Sequence, residues 1–141
     1  MPKQDKDKIY RVIDANINRL KEGIRVCEDV IRFFVEDSKI WIEFKKIRHT
    51  IFSTVKSLDK RYKLLQTRDI VKDVGKKSLA PELKRSNIGE VFFANIQRAK
   101  ESLRVLEEFS KLVNKRKAVE FKKIRYRLYE LERKAGKKIK F

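Results

Sequence analysis

The chain has 141 residues, enough to bury one hydrophobic core without a disulfide or structural metal, and is expected to form a single domain over residues 1–141. Its formal net charge is +18, which invites a nucleic-acid reading through counterion release. However, acids are abundant too, and neither a stacking surface nor a recognised nucleic-acid motif accompanies the cations, so nucleic acid is an unfavoured partner. A lone cysteine, Cys27, excludes an internal disulfide, and no Cys/His cluster offers a zinc site. No apolar run is long enough for a membrane span, and the opening "MPKQDKDKIY" lacks the apolar stretch of a secretory signal, so the expected location is the cytoplasm.

The first predicted helix runs from about Lys8 to Val35. At 100° per residue, Val12, Ile13, Asn16, Leu20, Gly23, Cys27, Val30, Ile31 and Phe34 share one side of it. Ser38 is placed to cap a second helix, whose inward stripe holds Ile40, Trp41, Phe44, Ile47, Arg48, Ile51, Phe52, Val55 and Leu58. A connection over about 60–87 comes next, with Pro81 and no clear periodicity. A connection of that length is usually functional or disordered. Leu64, Leu65, Ile70, Val71, Val74 and Leu79 argue for a structured loop packed on the helices. Asn87 followed by Glu90 resembles a capping box opening a third helix that reaches about Val113. The fourth spans about Lys117 to Lys134, ahead of Gly136.

These elements come from one unit written twice. "ANINRLKEGIRVCED" from Ala15 returns as "ANIQRAKESLRVLEE" from Ala94, an offset of 79, and "EFKKIRH" from Glu43 returns as "EFKKIRY" from Glu120, an offset of 77. A tandem helical hairpin, about 8–59 and about 88–135, predicts an all-α, four-helix antiparallel bundle with an internal pseudo-twofold axis and a structured loop between the halves.

Polar residues stand where the core is expected. Asn16 and its counterpart Asn95 lie within apolar arcs, and a buried amide left unpaired costs ~1–3 kcal/mol. Arg48 and its counterpart Arg125 lie on the inward stripes, where they either form buried ion pairs with Glu22, Glu28, Glu101 or Glu107 or line a polar cavity between helices. In the loop, Asp69 and Asp73 with Arg68 and Gly75 read either as a magnesium and phosphate site or as turn chemistry, with the glycine supplying positive φ. "GKKS" at Gly75 fails as a P-loop because Ile70 stands where the leading glycine is required. His49 and Cys27, whose counterparts are Tyr126 and Leu106, read as structural.

The segments Arg11 to Phe33 ("RVIDANINRLKEGIRVCEDVIRF"), Arg68 to Gly75 ("RDIVKDVG"), Ala94 to Leu112 ("ANIQRAKESLRVLEEFSKL") and Phe121 to Glu132 ("FKKIRYRLYELE") together resemble one family. It is that of the small all-helical hydroxymethylpyrimidine phosphate kinases of thiamin biosynthesis, found alone or fused ahead of thiamin phosphate synthase. Lys72 and Lys76 depart from the glycine and threonine usual there. The resemblance implies transfer of the ATP γ-phosphoryl group to 4-amino-5-hydroxymethyl-2-methylpyrimidine phosphate, with ATP and Mg²⁺. On that reading Arg68, Asp69 and Asp73 are catalytic, with the two aspartates as metal ligands. Arg19, Arg48, Arg68, Arg98 and Arg125 are phosphate clamps, Asn16 and Asn95 read the aminopyrimidine edge, and Glu22, Gly75 and Glu101 complete the substrate site. Two other classes stay open, a non-catalytic partner of thiamin phosphate synthase and a basic helical nucleic-acid binder. A homo-oligomer is compatible with all three.

Overall fold

A computed structural model describes residues 1–78 and 80–139, without the side chains of residues 60–62, 80 and 81. Four helices carry the architecture: α1 (Lys3–Val30), α2 (Ser38–Tyr62), α3 (Ile88–Ser110) and α4 (Lys115–Gly136), with no strand among the described residues. Cross-helix contacts fix the directions. Glu28 meets Arg48, Glu107 meets Arg125, Glu43 meets Lys134 and Cys27 meets the carbonyl of Phe92, so each helix runs antiparallel to both neighbours in the ring α1–α2–α4–α3. The pseudo-twofold axis crosses the bundle at right angles. Thr50 and Arg127 are counterparts, and their direct bond (Nη1 to Oγ1, 3.2 Å) places the axis between them.

The core runs the length of the bundle, with Ile13, Leu20 and Ile24 from α1, Phe44 and Ile51 from α2, Phe92, Ile96 and Leu103 from α3, and Phe121 and Leu128 from α4 all fully enclosed. Phe44 and Phe92 meet edge to face at 6.1 Å between centroids. α1 and α3 approach closely at Gly23, where an added Cβ would lie 2.9 Å from the carbonyl oxygen of Asn95.

Several sequence expectations shift. α1 begins at Lys3, five residues early, and after Val30 widens into a π-helical turn, Ile31–Val35, which ends at Glu36 in the left-handed region (φ 58°). This extra-residue turn rotates the residues after it, so Phe34 points to solvent. Phe52 is exposed as well. The cap of α2 is Asp37, not Ser38: its carboxylate accepts from the Ile40 amide at 3.0 Å, and an aspartate does this as well as a serine. At α3 the Asn87 side chain accepts from the Glu90 amide at 2.9 Å, while the Glu90 carboxylate reaches back to the Ser86 amide at 2.6 Å. α3 stops at Ser110, and α4 begins under the cap of Asn114, whose side chain accepts from the Lys117 amide at 3.2 Å.

The inter-repeat loop corrects the expectation of apolar docking. Leu64 is buried, but Leu65, Ile70, Val71 and Val74 face solvent, and Leu79 lies outside the described residues. Hydrogen bonds and an ion pair hold the loop instead.

Candidate functional site

The loop returns over α1 because of the turn that ends α2. Lys63 adopts the left-handed conformation (φ 51°), and Asp59 closes the turn, its carbonyl accepting from the Lys63 amide at 2.9 Å and its carboxylate from the Leu64 amide at 3.1 Å. A 3₁₀ turn, Leu64–Thr67, then seats Leu64 against the bundle. The next residue, Arg68, reaches α1. Its Nε and Nη2 donate to the two carboxylate oxygens of buried Asp14 at 2.8 and 2.9 Å, and this bidentate bond raises the guanidinium pKa above its ordinary range. Arg11, one turn before Asp14, donates to the carbonyl of Asp69 at 3.1 Å.

Under the loop lies a cleft of about 320 Å³, walled by Arg11, Asp14, Asn18 and Glu22 of α1 and by Arg68, Asp69 and Asp73 of the loop. Spacings of three and four residues bring the α1 side chains onto one face. Asp69 and Asp73 each commit one carboxylate oxygen to an Asx turn, accepting from the Lys72 amide at 3.1 Å and the Gly75 amide at 2.8 Å. Among the described residues their second oxygens are uncommitted, as is the exposed carboxylate of Glu22. Asp14 is fully engaged by Arg68 and serves as an anchor. Among the described residues no three His, Cys, Asp or Glu side chains converge tightly enough to hold a metal by themselves. Two half-free carboxylates fit a magnesium ion whose other ligands are phosphate and water.

Of the residues named from sequence, Arg68, Asp69, Asp73 and Glu22 come together here. Gly75 adjoins them as a turn donor; no described glycine has positive φ, so its conformational reading is corrected. The others lie elsewhere. Asn16 is buried in α1, its amide donating to the Val12 carbonyl at 2.8 Å and its oxygen accepting from exposed Arg19 at 3.4 Å. Asn95 likewise donates to the Val91 carbonyl at 2.8 Å, so each amide donates to a carbonyl of its own helix. Arg48 and Arg125 form ion pairs with buried Glu28 and Glu107, both at 2.7 Å. Arg98 and Glu101 are exposed on α3, away from the cleft.

Sequence reasoning missed Arg11, Asp14 and Asn18. The duplication drew attention to residues shared by both copies, and these three have Glu90, Phe93 and Gln97 as counterparts. In the second copy, Phe93 takes the place of Asp14 and packs toward the end of α4, 3.7 Å from where a Cβ on Gly136 would stand. One signal was an aspartate at the edge of an apolar arc, where a charge needs a partner.

The sequence pattern of the ThiD2 family matches residues 11–134, which include both walls of this cleft. The chain belongs to the ThiD2 family. It is also similar to proteins named thiamine-phosphate synthase. That of Nostoc punctiforme is 36% identical over 125 residues, covering 88% of this chain and 34% of the relative. That of Parasynechococcus marenigrum is 39% identical over 126 residues (89% and 35%), and that of Rhodopirellula baltica 33% over 122 residues (86% and 32%). This ThiD2 chain thus spans about a third of the length of these relatives. No solved structure matches it. Among the described residues no helix is long and apolar enough to cross a membrane.

Proposed function

We propose that this ThiD2 chain is a kinase of thiamin biosynthesis that transfers the γ-phosphoryl group of ATP to 4-amino-5-hydroxymethyl-2-methylpyrimidine phosphate. The observation that carries the reading is the cleft under the loop, in which the matched segment "RDIVKDVG" brings two half-free aspartates beside Arg11 and Arg68. An oxygen of the acceptor phosphate bonds to the γ-phosphorus while the bond from that phosphorus to the β-phosphate oxygen breaks, leaving ADP and the pyrimidine diphosphate. The attacking oxygen is already ionised near neutrality, with a second pKa of about 6, so no strong base is required. What the site must supply is alignment and cationic compensation. Asp69 and Asp73 would hold Mg²⁺ through the oxygens their turns leave free, and the ion supplies charge neutralisation when bound.

The test is to incubate the protein with Mg-ATP and the pyrimidine monophosphate and to look for the diphosphate. Asp69→Asn keeps the acceptor that the Lys72 amide needs, so the turn survives and only the carboxylate charge is lost. Turnover is expected to fall at least a hundredfold with the melting temperature unchanged; full turnover in this variant removes Asp69 from the chemistry. The names of the relatives favour a second reading, a helical unit that serves thiamine-phosphate synthase without catalysing anything itself. Copurification with a synthase and no diphosphate formation selects it.

A further inference from the structure

The two buried ion pairs are counterparts that have diverged. In the second copy Arg125 is sealed: Nε and Nη2 bind Glu107, Nη1 donates to the Tyr129 hydroxyl at 2.9 Å, and the rings of Tyr126 and Tyr129 lie 5.2 and 5.6 Å from the guanidinium. In the first copy Arg48 binds Glu28 through Nε and Nη2 at 2.7 and 3.1 Å, and its Nη1 has no partner among the described residues. The counterpart of Tyr129 is Phe52, which has no hydroxyl and faces solvent. Arg48 is correspondingly 32% exposed against 11% for Arg125.

The surroundings of the open pair are also specific to the first copy. Trp41 occupies the position held by Ala118 in the second. A cavity of about 560 Å³ opens between α1, the π-helical turn and α2, where Arg25, Arg32, Lys45 and Arg48 surround Trp41 and Phe33. Arg32 lies 4.9 Å from the Phe33 ring and 5.6 Å from the Trp41 ring, and Lys45 lies 5.4 Å from Trp41. The indole N–H is buried without a hydrogen-bond partner among the described residues, an unmet donor in a bundle whose other buried side chains are almost all satisfied. Four cations face Glu28, already committed, and Asp29. The π-helical turn costs the helix regular hydrogen bonding, and it sets Arg32 and Phe33 at this rim.

We propose that this cavity binds the nucleoside triphosphate, its base against the Trp41 and Phe33 wall and its phosphates gathered by Arg32, Lys45 and the free Nη1 of Arg48. A planar base meets the aromatic wall, while a polyphosphate meets cations that the acids leave uncompensated. An inorganic anion would account for the cations alone. The position agrees with the kinase reading, on which this inference rests. Arg11, Asn18, Glu22, Arg25 and Asp29 succeed one another along one face of α1, with Arg32 following in the π-helical turn, and Asn18 stands roughly 16 Å from Asp29 at about 1.5 Å per residue. A nucleotide seated with its base at Trp41 would therefore have the cleft under the loop on the same face of α1, in the direction its phosphates must point for transfer.

Trp41 is the only tryptophan in the chain, so its emission reports on this cavity alone. Titration with ATP is expected to change that emission saturably, and titration with the pyrimidine monophosphate to leave it unchanged. The double variant Arg32→Gln, Lys45→Gln changes two exposed side chains; it is expected to melt as the parent does and to bind ATP at least tenfold more weakly by calorimetry. ATP binding with no change in Trp41 emission, wild-type ATP affinity in the double variant, or no calorimetric ATP binding at all overturns the assignment. The two readings fail separately. ATP binding at Trp41 without diphosphate formation keeps the site and removes the kinase, whereas diphosphate formation with silent Trp41 keeps the kinase and removes the site.

Discussion

Replacing Arg68 with alanine tests whether one ion pair holds the loop over its cleft. The pair lies between two regimes: its arginine side chain is 42% exposed and its aspartate side chain 9% exposed. Exposed pairs contribute up to about 1 kcal/mol, while removing one partner of a fully buried pair costs about 3–5 kcal/mol because a charge is left unpaired. Asp14 keeps only a long contact from Asn18 (3.5 Å), so its carboxylate is poorly compensated after the substitution, yet water enters from the arginine side. The expected loss is about 2 kcal/mol. At about 3–4 °C per kcal/mol for a chain of this size, the melting temperature falls by about 6–8 °C. Trypsin should at the same time cut faster at Lys72, Lys76 and Lys77, which lie exposed beyond the anchor. Combining Asp14→Asn with Arg68→Gln leaves no buried charge and should recover most of the stability. Calorimetry and timed proteolysis read both effects. If Arg68→Ala melts within a degree of the parent and its loop is cut no faster, the pair does not dock the loop.

The duplicated ion pairs give a second comparison. Arg125→Lys loses the fork to Glu107 and the bond to Tyr129 and should cost about 2 kcal/mol, whereas Arg48→Lys, already partly solvated, should cost about 1 kcal/mol; equal melting temperatures would contradict the sealed-against-open distinction. Burial, with a smaller contribution from Glu132, raises the Cys27 thiol pKa far above its ordinary value, and its Sγ–H donates to the Phe92 carbonyl at 3.6 Å. A thiol reagent at pH 8 should therefore label the folded protein only at the rate of unfolding. Because the folded state keeps a proton that the unfolded thiol releases above about pH 8.5, stability from this group is complete below that pH and declines as pH rises. Cys27→Ala should flatten that alkaline decline in denaturant titrations, and an unchanged slope would assign it to other groups.

The legible parts of this fold are those decided by neighbours a few residues apart. The apolar arc of α1 and the cap at Asn87 with Glu90 arise from helical spacing and from local donors and acceptors, which the chain carries with it. The π-helical turn is not local in that sense; it adds a residue without a composition signal, and Phe34 leaves the arc as a result. The loop misled because Ile70, Val71 and Val74 read as packing residues, while the segment is held by Arg68 meeting an aspartate 54 positions earlier. Distance in sequence hides such a pair even when both residues are conspicuous. Asn16 and Asn95 are conspicuous for the opposite reason: a helical carbonyl four residues back accepts from each amide, a solution always within reach of an asparagine on a helix.

Duplication supplies the skeleton, and loss of symmetry supplies the chemistry. Positions that remain alike, such as Glu28 with Glu107 and Arg48 with Arg125, make the same inter-helix pair in both halves and set the hairpin geometry. Positions that differ decide which half stays open. Phe93 against Asp14 fills one potential cleft and leaves the other polar, and Ala118 against Trp41 removes the aromatic wall from one half. Tyr129 against Phe52 closes one arginine and frees the other. All three differences leave the polar or accessible member in the first repeat. Among the described residues, the half-free Asp69 and Asp73, the open Arg48 and the unpartnered Trp41 indole all lie on the first repeat or the loop that follows it, and the second repeat packs against the first through α1 and α3 as a buttress.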